Sequence, residues 1–162
     1  MKKILAIVTL CALVVVGLVG CGAMPKELKD SQPISSEEFW QVLTDLEYDV
    51  ESNGTTKYEY EENDTARLSY SDGINLIEYV RCETPSDASD IFEKFVDVFD
   101  GSCSNVSKLR AGTRAYWKAN LDGNLYGEIY QIDRVVILGY EIDEGYGKDN
   151  IIYTLECLRK IG

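Results

Sequence analysis

Turn signals set close together constrain this chain more than any other feature. Asp72-Gly73 separates one apolar run from the next, Asp122-Gly123 does the same further on, and Asp133 parts two more. Glycine adopts positive φ without strain and aspartate tolerates it, so Asp-Gly between alternating segments reads as a two-residue hairpin turn. Connections this short permit antiparallel pairing only. Strands are expected over 57–61, 66–70, 74–81, 114–120, 125–132 and 134–142, with 101–113, mostly small and polar, as a loop.

Helices punctuate these runs. Ser35 and Glu38 form the S-x-x-E pattern of a capping box, and Phe39, Leu43, Leu46 and Val50 recur behind it at helical spacing until Asn53-Gly54. Thr84 as cap, Pro85 at the first helical position and Asp87 in the first turn open a second helix. Ala88, Ile91, Phe92, Phe95, Val96 and Phe99 give it one broad apolar face, and Gly101 stops it. A last helix runs from near Asp149 to Lys160 on a stripe of Ile151, Leu155 and Leu158. The expected order is α-βββ-α-βββ-α. That order implies an α+β domain with a largely antiparallel sheet and helices packed on one face. The two halves look alike at a spacing of about sixty residues: Tyr70 with Tyr130, Tyr79 with Tyr140, and Ile91, Phe92 and Phe95 with Ile151, Ile152 and Leu155. An internal duplication and a coincidence between two amphipathic hairpin-helix units both fit this pattern.

The N-terminus carries a different kind of information. Lys2 and Lys3 precede an apolar run, 4–19, interrupted only by Thr9, and a small residue, Gly20, comes before Cys21. Positive start, apolar middle and small-residue end mark a secretory signal. The stretch Leu18-Val19-Gly20-Cys21 resembles the lipobox of bacterial lipoprotein precursors, a resemblance confined to residues 1–23. It implies that cleavage falls between Gly20 and Cys21 and that the Cys21 thiol carries a diacylglycerol, the new amino group being open to a further acyl chain. Two or three acyl chains anchor stably where one is marginal. An uncleaved spanning helix is the alternative, since the apolar run approaches the roughly 20 residues a membrane requires. Both readings place the rest outside the cytoplasm. The expected organisation is a signal over 1–20, a lipidated cysteine with a flexible tether over 21–34, and one globular domain over 35–162.

Composition narrows the chemistry. The chain has no histidine, which removes Ser-His-Asp and Cys-His catalysis and every histidine metal site. Of its 16 basic residues Lys2 and Lys3 leave with the signal, so 14 face 28 acids in the mature part, a net charge of −14. Such a domain is repelled by nucleic acid and by anionic lipid head groups. No cysteine pair has metal-binding spacing, and no cofactor or metal is expected. Cys82 and Cys103 flank the second helix and are the candidate disulfide, against the alternative of reduced thiols at Cys82, Cys103 and Cys157. Lys108, Arg110 and Arg114 form the densest basic cluster, either a contact for an anion or partner carboxylate or a balance to neighbouring acids. No spacing selects a catalytic residue. The expectation is a lipid-anchored, non-catalytic binding, sensing or accessory domain at the cell envelope, with an envelope protein, peptide or polymer as partner and a small carboxylate hydrolase as alternative. Bare tyrosines on one sheet face are where a contact surface is sought first.

Overall fold

The computed structural model describes residues 24, 26–48, 56–99, 101–121, 125–142 and 147–161. Among them lie α1 (Lys26–Asp30), α2 (Ser36–Asp45), β1 (Thr56–Glu62), β2 (Thr65–Ser71), β3 (Asn75–Arg81), α3 (Pro85–Phe99), β4 (Cys103–Ala111), β5 (Arg114–Leu121), β6 (Tyr126–Ile132), β7 (Val135–Glu141) and α4 (Gly147–Ile161). The fold is mixed α+β around one seven-stranded sheet in the order β1-β2-β3-β7-β6-β5-β4. Every neighbouring pair is antiparallel. Two meanders therefore meet where β3 pairs with β7. By the same alternation β3 and β4 run parallel, and α3 is the crossover that carries the chain across β7, β6 and β5.

Local chemistry explains the helix starts. The Ser35 hydroxyl accepts from the Glu38 N–H at 3.2 Å, and the Glu38 carboxylate accepts from the Ser35 N–H at 2.7 Å. Thr84 and Asp87 make the same reciprocal pair at the start of α3, at 3.2 Å each way. Each cap satisfies donors that a helix start leaves open, worth about 1 kcal/mol.

The helices cover both faces of the sheet, not one. Strand side chains alternate between faces. Ile77, Tyr79, Tyr116, Tyr130, Ile132 and Ile137 pack with Leu28, Phe39, Leu43, Ile151, Leu155 and Leu158 of α1, α2 and α4. Their strand neighbours Val80, Trp117, Ile129, Val136 and Leu138 pack on the opposite side with Ala88, Phe92 and Val96 of α3. The expectation of a single covered face fails because β6 and β7 are buried at nearly every position, on both faces of the sheet.

The element order also departs from expectation. The segment 101–113 holds β4, a complete edge strand paired with β5, so the second half has four strands. Its half-exposed Ser, Lys and Arg residues carry no apolar alternation, and a register shift between Ser104 and Ser107, with Asn105 at φ 54°, breaks what period there is. Helix α2 stops at Asp45, with Glu47 at φ 60°, so Leu46 lies beyond it, and Val50 and Asn53-Gly54 are outside the described residues. At Asp72-Gly73 the turn differs from the two-residue form. Gly73 alone takes positive φ, while the Asp72 carboxylate accepts from the N–H groups of Ile74 and Asn75. Asp122-Gly123 lies outside the described residues.

Residues 24 and 26–34 belong to the domain. Met24, Leu28 and Ile34 are buried in the core, the Ser31 hydroxyl donates to the Arg159 carbonyl, and Arg114 donates to the Leu28 carbonyl. The sixty-residue repeat matches the order of β1 to β3 with that of β5 to β7 and fails for α3 and α4. A two-fold relating antiparallel neighbours β3 and β7 would leave those two helices on one face, and they lie on opposite faces. Tyr79 and Tyr140 likewise fall in different cores.

Candidate functional site

The crossover helix is narrower than the sheet it covers. Helix α3 packs on β5, β6 and β7. The same face continues across β3, β2 and β1, and its residues follow from the register. Leu138 stands opposite Glu78, Glu78 opposite Ser69, and Ser69 opposite Tyr58. The flanking rows bring in Leu76, Ser71 and Thr56 on one side, and Val80, Arg67 and Tyr60 on the other.

This part of the face is open. Tyr58 is 50% exposed and Tyr60 46%, and Thr56 and Arg67 are exposed beside them. β1 consists of Thr, Lys, Tyr and Glu only, and all seven of its residues are exposed, as fits an edge strand with no core position. Its opposite side is pinned to the domain. Lys57 lies 4.2 Å from the centroid of the Trp40 ring, and Glu61 accepts from Arg81 at 2.6 Å and from Ser36 at 3.1 Å. The tyrosines are therefore presented on a braced platform. Tyr60 donates to Glu62, and that hydrogen bond with the Glu62 charge pushes its phenol above its ordinary range.

Where the open face meets α3 there is a half-open groove of about 180 Å³, lined by Leu76, Glu78, Phe95, Val98, Phe99, Leu138 and Tyr140. Phe99 fixes its wall, stacking on Trp117 at 5.4 Å and meeting Tyr140 edge-on at 5.3 Å. Glu78, buried in the groove floor, accepts from the Arg67 Nε at 2.5 Å. Burial, and after it the Glu78 charge, raises the Tyr140 phenol above its ordinary range. Exposed Ile74 and Ile142, joined by a backbone hydrogen bond, continue the same rows beyond Leu76 and Tyr140.

The residues singled out from sequence fare differently. Gly20 and Cys21 lie outside the described residues. Lys108 and Arg110 stand together on β4, but both hold Glu93 of α3, at 2.5 and 2.9 Å. Arg110 also donates to Ser89 at 3.0 Å and lies over the Phe92 ring. Burial pushes the Glu93 carboxyl up, and the hydrogen bonds and charges of Lys108 and Arg110 outweigh this and leave it below its ordinary range. Arg114 is on the other face, donating to α1. The structure does not bring the three cations together; the balancing arrangement describes Lys108 and Arg110.

The candidate disulfide is absent: Cys82, Cys103 and Cys157 are free thiols. Cys82 and Cys103 bracket the 15-residue α3, whose ends are about 22 Å apart at 1.5 Å per residue, and a disulfide needs Cα atoms within about 7 Å. Burial, then Asp87, raises the Cys82 thiol. Among the described residues no group of three or more Cys, Asp or Glu side chains is placed to hold a metal ion, and no helix is long and apolar enough to cross a membrane. Compared with protein-family models, characterised proteins and solved structures, the chain matches none.

Proposed function

We propose that this chain is a non-catalytic binding domain held on the outer side of a bacterial membrane by acyl chains on Cys21, and that it captures an envelope protein, peptide or polymer on the open face of β1 to β3. The observation that carries the reading is the pair Tyr58 and Tyr60, both about half exposed on one face of a braced strand. Residues two apart on a strand stand about 6.7 Å apart on one side. Tyrosine offers large, amphipathic contact area with little rotamer entropy to lose, and the neighbouring Ser69, Ser71 and Thr56 offer adaptable hydrogen bonds. The groove beside them presents one carboxylate, Glu78, already engaged by Arg67, which suits a contact surface better than acid-base chemistry.

The anchor and the fold fit together. Met24, three residues after Cys21, is buried in the core. Acyl chains on Cys21 would thus hold the domain within about 10 Å of the bilayer surface.

The test uses the full-length chain, isolated in detergent from membranes, as bait against envelope extracts of its own organism. One stoichiometric partner is expected, with capture falling at least about tenfold when Tyr58 and Tyr60 are both alanine. Equal capture by that variant, or reproducible turnover of an envelope polymer by the wild type, overturns the reading. Intact mass of the membrane-bound chain tests the anchor: a chain still starting at Met1, with no added lipid mass, rules it out.

A further inference from the structure

The strand that carries the two tyrosines is also an open edge of the sheet. β1 pairs with β2 on one side and, among the described residues, with nothing on the other. An edge strand of seven residues offers a row of backbone donors and acceptors to any extended chain laid beside it. The opposite edge is blunted. β4 is bulged between Ser104 and Ser107, and its Lys108 and Arg110 are turned onto Glu93.

Charge selects what can lie along β1. On the α2 side the strand presents Lys57, Glu59 and Glu61. Lys57 is held by Glu59 at 3.4 Å and by the Trp40 ring. Glu62 and Asp64 add negative charge at the far end, in a chain of net charge −12. A second copy paired antiparallel about Glu59 would set that carboxylate against its own twin, and like charges opposite one another destabilise a strand pair. A strand with Lys or Arg at alternate positions would instead meet Glu59 and Glu61 on one side. On its other side it would lay small or aliphatic residues beside Tyr58 and Tyr60.

Resting on the reading of the open face as a contact surface, we propose that β1 takes a basic, extended peptide segment of its partner as an eighth strand, with cationic residues at alternate positions. Main-chain hydrogen bonds supply the pairing, the glutamates select the charge, and the tyrosines cover the other side of the added strand.

The test uses the full-length chain in detergent and three synthetic peptides of about seven residues, the length of β1. One alternates Lys with Val, the second alternates Glu with Val, and the third is the Lys-Val peptide N-methylated on the amides that would face β1. Binding is read by fluorescence anisotropy, and location by hydrogen exchange. The Lys-Val peptide should bind and slow exchange at 56–62 and not at 103–111. The N-methylated peptide should bind at least about tenfold more weakly, since it keeps the charge and loses the backbone donors. Glu59→Gln, which leaves the Glu61 brace to Arg81 and Ser36 in place, should weaken the Lys-Val peptide several-fold and leave the exchange pattern of the free chain unchanged. The proposal is overturned if the N-methylated or Glu-Val peptide binds as well as Lys-Val, or if protection appears on β4. Concentration-dependent protection of β1 without peptide also overturns it, since a second copy would then be the occupant. Failure of all three peptides, while an envelope partner is still lost on replacing Tyr58 and Tyr60, sinks the added strand and leaves the contact surface standing.

Discussion

Arg159 of α4 donates its guanidinium to the carboxylate of Glu128 in the middle of β6, and both residues are enclosed, at 7% and 2% exposure. Tyr126 donates to the other oxygen of the same carboxylate, and Arg159 also lies over the Tyr130 ring. The pair fastens the last helix to the sheet from within. Removing one partner leaves a charge where water does not reach. Glu128→Ala is therefore expected to lower unfolding free energy by roughly 3–5 kcal/mol. Replacing both with apolar residues of similar volume, Glu128→Leu with Arg159→Met, should cost markedly less than that single change. Urea unfolding of the three chains decides it, and a double variant less stable than Glu128→Ala refutes the account.

At Gly139 of β7, Leu155 of α4 fills the space a side chain would take. A Cβ there would stand 2.9, 3.1 and 3.2 Å from Leu155 Cδ1, Cδ2 and Cγ, and Leu155 is fully buried. Gly139→Ala is expected to destabilise by about 1–3 kcal/mol through overpacking. Leu155→Ala alone should also destabilise, through its cavity. The two together should cost less than the sum of the separate changes, because each relieves the other. Additive losses in a double-mutant cycle would show that the two groups do not compete for the same space.

Leu28 separates a tether from a structural segment. Its side chain is completely enclosed beneath α1, and its carbonyl accepts from Arg114. Leu28→Ala should cost roughly 2–5 kcal/mol as a core truncation. A substitution in a loose linker would fall within about 0.5 kcal/mol of wild type. The thermal midpoint of the full-length chain distinguishes the two outcomes.

Much of the architecture was legible because its signals are local. Ser35 with Glu38, Thr84 with Asp87, and the stripe Ile151, Leu155 and Leu158 each act within a few residues of one another. Strand β4 was not legible because it is a bulged edge whose Ser104, Ser107, Lys108 and Arg110 face water or a single acid. The covering of both faces was visible in part: Val135 to Leu138 has no polar alternation, which points to burial on two sides. The contact surface lay out of reach for another reason. Tyr58 comes into line with Ser69, Glu78 and Leu138 only through the registers of two hairpins and the long-range pairing of β3 with β7. The cysteine pairing failed on length alone, since a helix holds its ends apart.

Glu93 makes the acid limb of stability testable at one residue. Its carboxyl is pushed up by burial and pulled down by more through Lys108 and Arg110, ending below the ordinary range. A carboxyl whose folded pKa is depressed contributes stability that is fully present above its unfolded value, about 4.3. That contribution is lost as pH falls through the folded value. Glu93→Gln should therefore be less stable than wild type at neutral pH, and the two urea midpoints should converge as pH drops from about 5 to about 3. Because the three side chains are substantially exposed, the difference should be small and should shrink further in salt, which screens exposed pairs. Midpoints that stay parallel across that pH range would show that the Glu93 carboxylate gains nothing from its two cations.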